Sequence, residues 1–548
     1  MQINDYSILN WSDRITPASR NVDLLGIWSQ HLKIQVQFTR GITSVTPRIR
    51  YYTLIAYYSE YLSKIVDDIN DYERIFILAC LSHHDGEYKD LDQVQNKTRF
   101  RDDWDAIKTF DLDFKISGQG WSYYVKQLAH FRSVWNEYGN IKKTPINEKL
   151  ASSLKDIDLA FFKKKQFNKS ELRELGDQGL CICKSNENYK EINVMTKLLF
   201  GFFSKKTGNW DIDEKEYNMF KEGKLNLEIN NDFVLSEDIE VLNMNIKRRN
   251  TLLMFLKIIN ETNPPIKEYR RYIWDAIYFR QNSSNNNYLD FGQLEPVRRY
   301  WELLQLNIYY MYAIENYLDL INQIINLNNP IKKKGLLKTL DYDIVNLNLG
   351  NILDKKINKD LNLSDLIEVI DALSGNDISD LNDFVNESFI FDGIRSKDPE
   401  EKLVNILIML ILLYRRYLSI DTEIKDYAFN NIGHSFYSLF ISDIVKFIEE
   451  NGEISIYEFL DYLCDLIIKR HIFESTLRFY DSNTRNWLFT EEDGLLFGES
   501  KKIPIGTRDN RWGSIKSLLL DLNFIYEVDG KISLTEKAII WLKRIELI

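Results

Sequence analysis

The spacing of apolar positions predicts a mostly α-helical chain. Between residues 511 and 522, apolar side chains recur at intervals of three and four residues, which is the spacing of one buried helix face. Similar periodicity indicates further helices at residues 246–259, 266–279, 296–327, 402–417, 435–451 and 455–473. The apolar run at residues 406–413 is far shorter than the roughly 20 residues needed to span a bilayer, so it predicts a helix buried on all sides.

Two Asp-Gly pairs interrupt this helical pattern and predict β-hairpins. Asp529-Gly530 lies between two β-prone runs, and so does Asp493-Gly494, towards which residues 473–480 are expected to extend. An Asp-Gly pair in this setting is a strong hairpin signal, because both residues accept the positive φ of a tight type I′ turn. Helical periodicity resumes after Thr535 and predicts a closing helix.

Helix, two-stranded wing and closing helix, over about residues 505–548, are the parts of a winged helix. Modules of this kind either read duplex DNA or dock onto protein. We therefore expect a mostly α, multi-domain helical protein with a C-terminal winged-helix module. Its parts are an N-terminal helical domain at 1–165, a helical middle domain at 166–400 with an acidic segment at 341–400, and a helical region at 401–548 that ends in the winged helix.

The composition is consistent with long helices in a globular protein. The chain has 548 residues, of which only 23 are Gly and 9 are Pro, both below the usual frequencies of about 7% and 5%. Four cysteines are too few for a disulfide framework and favour a reducing cytoplasm. The first residues, Met1 to Asp5, show neither the basic nor the apolar region of a secretion signal.

The net charge of −11 is unevenly distributed along the sequence. Residues 341–400 carry 14 acids and 5 bases, whereas residues 501–548 carry 9 bases and 6 acids. Residues 1–50 are also mildly basic. The molecule as a whole is therefore not expected to condense onto a phosphate backbone. We interpret the acidic segment as a solvated helical surface, with competition against DNA or binding of a basic partner as alternatives.

No catalytic motif stands out in the sequence. The Walker A, Gly-x-Gly-x-x-Gly and Gly-x-Ser-x-Gly patterns do not occur. His83-His84-Asp85 resembles part of a metal or phosphohydrolase site, but Gly86 follows directly and favours a polar helix end. Glu87 begins a Glu-x-Lys, so His84, Asp85 and Glu87 are the weak candidates for a divergent metal-dependent nuclease. We assign no catalytic residue, no metal and no cofactor from the sequence.

Cys181 and Cys183 form a Cys-x-Cys pair. A structural zinc site takes four ligands, usually as two spaced pairs, and the sequence shows no second pair of that kind. We therefore interpret residues 180–183 as a short buried strand that carries small apolar thiols.

Basic residues near the predicted winged helix are the candidates for DNA contact. They are Arg508, Arg511 and Lys516 near the recognition helix, and Lys531 in the wing. Phosphate contacts from such side chains give salt-sensitive affinity. Several acids lie among them, so docking onto protein is the alternative use of the module.

Arg48 and Arg50 lie in the first turn of a helix predicted from Pro47 to about Asp68. A cation at the N-terminus of a helix opposes the helix dipole at a cost of about 0.3–1 kcal/mol when it is exposed. The two arginines are therefore expected to contact an acid from elsewhere in the chain, or an anionic ligand or partner.

Short motifs near both ends resemble a group of bacterial proteins. The first are Leu25-Gly26-Ile27-Trp28, Gly41-Ile42-Thr43 and the run from Arg48 to Tyr52. Near the other end are His471, an Asp-Gly hairpin, Arg511 and a Leu-Leu-x-Asp-Leu helix that runs into a wing. In these features the chain resembles large, uncharacterised helical proteins encoded in bacterial phage-defence islands, beside ATPases, helicases or nucleases.

This resemblance implies a non-ATPase adaptor or sensor subunit of an antiphage defence complex. Such a subunit would bridge DNA and an ATPase, of the SMC type by architectural analogy, or a nuclease from the same operon. The resemblance carries over no catalytic residue. A divergent metal-dependent nuclease and a winged-helix transcriptional regulator are the alternative functions.

Overall fold

The structure of the protein is a computed structural model. The residues that it describes are 16–17, 23–39, 42, 48–66, 68–87, 91, 94, 104–112, 145–200, 202–204, 209–211, 236–354, 361–373, 385–429, 437–482, 484–501, 503, 505, 511–544 and 547–548. Most of them lie in helices, which confirms the prediction of a mostly α-helical chain. None of the described helices combines the length and the apolar character that crossing a membrane requires.

The α-helices among the described residues are numbered in chain order. They are α1 (Ile27–Thr39), α2 (Ile49–Tyr57), α3 (Ile69–His83), α4 (Pro145–Ala151), α5 (Lys169–Leu175), α6 (Tyr189–Phe200), α7 (Ser236–Thr262), α8 (Tyr269–Tyr278), α9 (Glu295–Leu327), α10 (Tyr342–Leu353), α11 (Leu363–Leu373), α12 (Glu387–Gly393), α13 (Pro399–Ser419), α14 (Thr422–Phe429), α15 (Ile441–Glu450), α16 (Ile456–Ser482), α17 (Trp512–Asp521) and α18 (Glu536–Arg544).

The described strands are all short. They are β1 (Thr16–Pro17), β2 (Thr109–Asp111), β3 (Gln166–Asn168), β4 (Phe202–Ser204), β5 (Asn209–Asp211), β6 (Ile331–Lys332), β7 (Thr484–Arg485), β8 (Phe489–Glu492), β9 (Leu495–Gly498), β10 (Ile525–Val528) and β11 (Lys531–Leu534). Strands β6, β9 and β8 form a three-stranded sheet in that order, and the others pair two by two. The only parallel pair among these described strands is β1 with β7.

Contacts along the chain define two compact units, each built from separate stretches of sequence. The first unit comprises residues 1–34, 277–281 and 299–508, and the second comprises residues 35–276, 282–298 and 509–548. The division into consecutive domains at 1–165, 166–400 and 401–548 stays a prediction.

Helix α13 forms the centre of the first unit. Asp398 caps it by accepting a hydrogen bond from the Glu401 amide, 2.8 Å away, and Pro399 occupies the first helical position, where its missing N–H costs nothing. Residues 402–413 are all buried, and the helix packs against α10, α11, α12 and α15. The predicted fully buried helix is therefore confirmed.

Arg416, near the C-terminal end of this helix, lies in a buried cluster of charged side chains. Arg416 Nε donates to Glu387 Oε1 at 2.7 Å, and Nη1 donates to Glu302 Oε1 at 3.0 Å and to the Tyr278 carbonyl at 2.9 Å. The guanidinium also lies 3.9 Å from the centre of the Tyr278 ring. Arg299 Nη1 lies 3.0 Å from the other carboxylate oxygen of Glu302, so two cations compensate the two carboxylates inside the first unit.

At the end of the first unit, one of two sequence-based predictions is wrong and the other is confirmed. Helix α16 runs to Ser482, so the prediction that the chain extends from residue 473 is wrong. The following hairpin of β8 and β9 is confirmed: Asp493 and Gly494 form its turn with φ angles of 49° and 77°. These are the left-handed values that a tight hairpin turn requires.

A helix–hairpin–helix at residues 511–544, here called the C-terminal module, belongs to the second unit. It consists of α17, the hairpin of β10 and β11, and α18. Ile515, Leu518, Leu519 and Leu522 are fully buried, as their spacing predicts. Asp529 and Gly530 take φ angles of 49° and 74°, so the second Asp-Gly hairpin is also confirmed.

Backbone hydrogen bonds hold this module against the turn that follows α7. The Ile266 amide donates to the Gly530 carbonyl at 2.8 Å, and the Ile532 amide donates to the Pro264 carbonyl at 2.9 Å. These bonds lie on the outer side of β11, so that strand is paired on both of its edges.

Candidate functional site

Two histidines stand at the C-terminal end of α3. Asp68 caps the start of this helix by accepting from the Asn70 amide at 2.9 Å. The helix ends at His83, and Gly86 follows with a φ of 78° and donates to the Leu81 carbonyl at 2.8 Å. The predicted helix end at Gly86 is therefore confirmed, and it leaves His83 and His84 beside each other where the chain leaves the helix.

The two cysteines lie in a compact turn rather than in a strand. A π-helical turn spans Gly176–Leu180, and a 3₁₀ helix spans Ile182–Glu187. Gly179 has a φ of 113°, which bends the chain just before Cys181. The prediction of a buried strand at residues 180–183 is therefore wrong, because local turns satisfy the backbone where a strand would need a partner.

The structure brings these two pairs together into one group of four, here called the histidine–cysteine cluster. One donor atom from each of His83, His84, Cys181 and Cys183 lies within 4.8 Å of all the others. The Cys183 and Cys181 sulfur atoms are 3.3 Å apart. Sequence reasoning missed this cluster: the second pair of donors exists, but it is a His-His dipeptide on a different helix.

A glycine allows the two segments to approach so closely. A Cβ atom added at Gly176 would lie 2.7 Å from His83 Cβ and 3.0 Å from the Ala79 carbonyl oxygen. Arg173 reinforces the contact, since its Nε donates to the Ser82 carbonyl at 3.3 Å and its Nη2 pairs with Asp85. Helix α5 and the turn after it therefore pack directly on the end of α3.

The cluster places two thiols with raised pKa values beside an imidazole that lies close to a carboxylate. His83 Nδ1 lies 2.7 Å from Asp177 Oδ1. The neighbouring Cys181 thiol and burial raise the pKa of Cys183 above its ordinary value. The hydrogen bond with Cys183 alone would lower the pKa of Cys181, but the Cys80 thiol and burial outweigh it and raise that pKa as well. Two adjacent thiols resist ionisation unless a cation compensates their charge.

Arg50 and Arg48 each contact an acid of the second unit. Arg50 Nη2 lies 2.8 Å from Glu191 Oε2, with both side chains fully buried, and its Nη1 donates to the Gly179 carbonyl. Arg48 Nε lies 2.9 Å from Asp521 Oδ2. An acid from elsewhere in the chain is the first of the two predicted alternatives for these arginines. Arg50 thereby also supports the turn that carries Cys181.

Two of the four candidates for DNA contact bind within the protein. Arg511 Nη1 donates to Thr39 Oγ1 at 2.9 Å and to the Ile42 carbonyl at 3.0 Å. Lys516 Nζ lies 2.7 Å from Glu527 Oε1 and above the ring of Tyr269. Lys531 is exposed at the start of β11, and Arg508 lies outside the described residues.

The weak nuclease candidates do not converge on a carboxylate pair within the described part of the chain. Asp85 contacts Arg173, Glu87 is exposed, and His84 lies among the thiols. The surroundings of His84 are therefore rich in nitrogen and sulfur donors, whereas a magnesium-dependent nuclease needs oxygen donors.

Comparison of the chain with protein-family models, with curated proteins and with solved structures finds no match.

Proposed function

We propose that the chain is a non-ATPase adaptor subunit of a bacterial antiphage defence complex. In this proposal the C-terminal module is a winged helix that docks a protein partner. The order of helix, hairpin and helix in the module supports it, and so does the resemblance of the terminal motifs to proteins of phage-defence islands.

The observation that carries the proposal is the outer edge of the hairpin. No second strand pairs with the free side of β10 among the described residues, and Tyr526 and Val528 on this strand are 44% and 43% exposed. An open strand edge with apolar side chains is what a partner strand needs for β-augmentation. Arg511 and Lys516 both contact groups within the protein, which also favours protein docking over DNA reading.

The partner is an ATPase, of the SMC type by analogy, or a nuclease encoded beside this chain. Contact with DNA is the second role of the same module and rests on exposed Lys531. The adaptor would thus bridge the partner and DNA.

Co-purification tests this function directly. The tagged full-length chain is expressed with the products of its neighbouring genes, and complexes are isolated by affinity and size-exclusion chromatography. We expect Tyr526→Lys and Val528→Lys to abolish the complex, because each would place a charge in a strand edge that the partner buries. Ile540→Lys is the matched control, since Ile540 is 60% exposed in α18 but lies outside the strand edge.

Other results would point elsewhere. A complex that survives both edge substitutions would reject docking through β10. A chain that purifies alone and cleaves DNA with Mg²⁺ would favour the nuclease alternative. Sequence-specific binding to its own promoter, as a dimer, would favour a transcriptional regulator.

A further inference from the structure

We propose that His83, His84, Cys181 and Cys183 form a tetrahedral zinc site that joins the end of α3 to the turn after α5. This inference is independent of the adaptor function, since none of the four residues belongs to the C-terminal module. It rests on the kind, the number and the spacing of the donor atoms.

The donor set matches zinc chemistry. Two imidazole nitrogens and two thiol sulfurs make a Cys₂His₂ set, the ligand type found in structural zinc sites. Magnesium and calcium instead prefer carboxylate and carbonyl oxygens. The cluster therefore selects a transition-type divalent cation, with zinc as the redox-inert member that favours four-coordination.

The spacing leaves room for one ion. With Zn–S near 2.3 Å and Zn–N near 2.0–2.1 Å, tetrahedral donors are separated by about 3.3–3.8 Å. The four donor atoms here all lie within 4.8 Å of one another, and the two sulfurs are 3.3 Å apart. Side-chain rotations that move the donor atoms by about 1 Å would complete the coordination. The close approach at Gly176 and the contacts of Arg173 with Ser82 and Asp85 already hold the two segments together at this separation.

Asp177 is placed to orient one of the ligands. Its carboxylate lies 2.7 Å from His83 Nδ1, and a small rotation of the ring would let that nitrogen donate to the carboxylate and leave Nε2 for the metal. A carboxylate behind a metal-binding imidazole fixes the tautomer and increases the basicity of the ligand. Because four protein side chains fill the tetrahedron, the site is structural and keeps no open position for a substrate.

Metal binding by the full-length protein tests this proposal. The chain is reduced, stripped with a chelator, freed of the chelator and titrated with Co²⁺ and then with Zn²⁺. We expect one equivalent of Co²⁺ to give the visible absorption of a tetrahedral site and thiolate charge-transfer bands, and Zn²⁺ to displace it. Cys181→Ser with Cys183→Ser should abolish the charge-transfer bands.

Cys80 provides the matched control. It is a buried thiol next to Cys181 but is not one of the four proposed ligands. Cys80→Ser should therefore leave the stoichiometry and spectrum unchanged. Asp177→Asn, at a half-exposed position, should weaken the affinity for Zn²⁺ by about 10–100-fold while the fold is kept.

Three outcomes would overturn the proposal. They are no binding of Co²⁺ or Zn²⁺ by the reduced wild-type chain, equal binding by the wild type and the double cysteine variant, and loss of the thiolate bands in Cys80→Ser.

Discussion

The Arg48 guanidinium and the Asp521 carboxylate form an ion pair across 473 positions of sequence, with Nε 2.9 Å from either carboxylate oxygen. Asp521 Oδ2 also accepts a hydrogen bond from the Ile49 amide at 3.0 Å. Arg48 occupies the N-cap position of α2 and makes no capping bond with its own side chain. Asp521 therefore supplies from α17 the capping carboxylate that α2 lacks locally, and this carboxylate explains why a cation is tolerated at that helix end.

Removing this carboxylate should destabilise the second unit. Asp521 is 3% exposed and Arg48 is 14% exposed, and burial raises the pKa of Asp521 although Arg48 acts to lower it. We expect Asp521→Ala to cost about 3 kcal/mol, because it leaves a largely buried arginine unpaired and a helix uncapped. Urea unfolding followed by circular dichroism measures the loss. The more exposed pair of Lys516 and Glu527 is the control, and Lys516→Ala should cost no more than about 1 kcal/mol.

Arg511 and Lys531 should separate a structural role from a DNA-binding one. Arg511→Ala removes two hydrogen bonds to buried groups of Thr39 and Ile42, so we expect a loss of about 1–3 kcal/mol. Lys531→Ala should leave stability within about 0.5 kcal/mol. If the module binds DNA, the same Lys531→Ala variant should also reduce the slope of log DNA affinity against log salt concentration by about 1. Unfolding curves and salt-dependent fluorescence anisotropy on the same variants provide both readouts; an unchanged salt slope would count against Lys531 as a phosphate contact.

The elements that could be predicted from the sequence are those fixed by neighbouring residues. Both Asp-Gly hairpins and the buried helix at residues 406–413 depend on turn chemistry and periodicity, which are local. The histidine–cysteine cluster depends on packing between segments far apart in sequence. Its two histidines are neighbours in sequence and its two cysteines are separated by a single residue, unlike the wider spacing of common zinc motifs. The sequence around Gly176 also does not indicate which helix this glycine contacts. Likewise, the position of Arg48 indicated contact with an acid of the chain or with an anionic ligand or partner, but did not identify Asp521.

The buried Arg416 should be required for the stability of the first unit. Arg416→Met would take the cation away from two buried carboxylates, those of Glu302 and Glu387, and we expect a loss of about 3–5 kcal/mol. Adding Glu387→Gln to this variant should restore part of the loss, because one uncompensated charge is removed. Denaturant unfolding of the single and double variants measures the coupling.

The neighbouring arginine is the control for that experiment. Arg415 pairs with Asp371, whose side chain is about half exposed, so Arg415→Met should cost no more than about 1 kcal/mol. Equal losses in the free energy of unfolding for Arg415→Met and Arg416→Met would show that the buried cluster contributes no more to stability than an exposed ion pair.

Gly176 should not tolerate a methyl group. Its φ and ψ of −60° and −45° are ordinary helical values, so alanine at an open position of this kind would stabilise the fold by about 0.4–1 kcal/mol. Here the added Cβ would meet His83 Cβ at 2.7 Å, and we expect Gly176→Ala to cost about 1–3 kcal/mol instead. Thermal unfolding decides the sign, and a raised midpoint would show that α3 and the turn can separate without penalty.

His471 gives the first unit a defined pH dependence. It is fully buried, its Nε2 accepts from the Leu488 amide at 3.0 Å, and its Nδ1 lies 3.3 Å from the Leu24 carbonyl oxygen. This arrangement needs the neutral ring with its proton on Nδ1. Burial lowers the pKa of His471 to about 4, and the Leu24 carbonyl only partly offsets this effect.

The sign of the effect follows from where protons bind. Between about pH 6.5, the ordinary pKa of histidine, and pH 4, the unfolded chain binds a proton that the folded chain does not. Stability from this group is therefore complete above pH 6.5 and is lost as the pH falls towards 4, by about 3 kcal/mol in total. His471→Gln cannot titrate, so the difference in free energy of unfolding between the wild type and this variant should shrink over that range. The carboxylates titrate alike in both proteins and cancel in the difference. A difference that stays constant from pH 7 to pH 4 would mean that the ring is protonated in the folded protein as easily as in the unfolded chain, contrary to the bond that Nε2 accepts from Leu488.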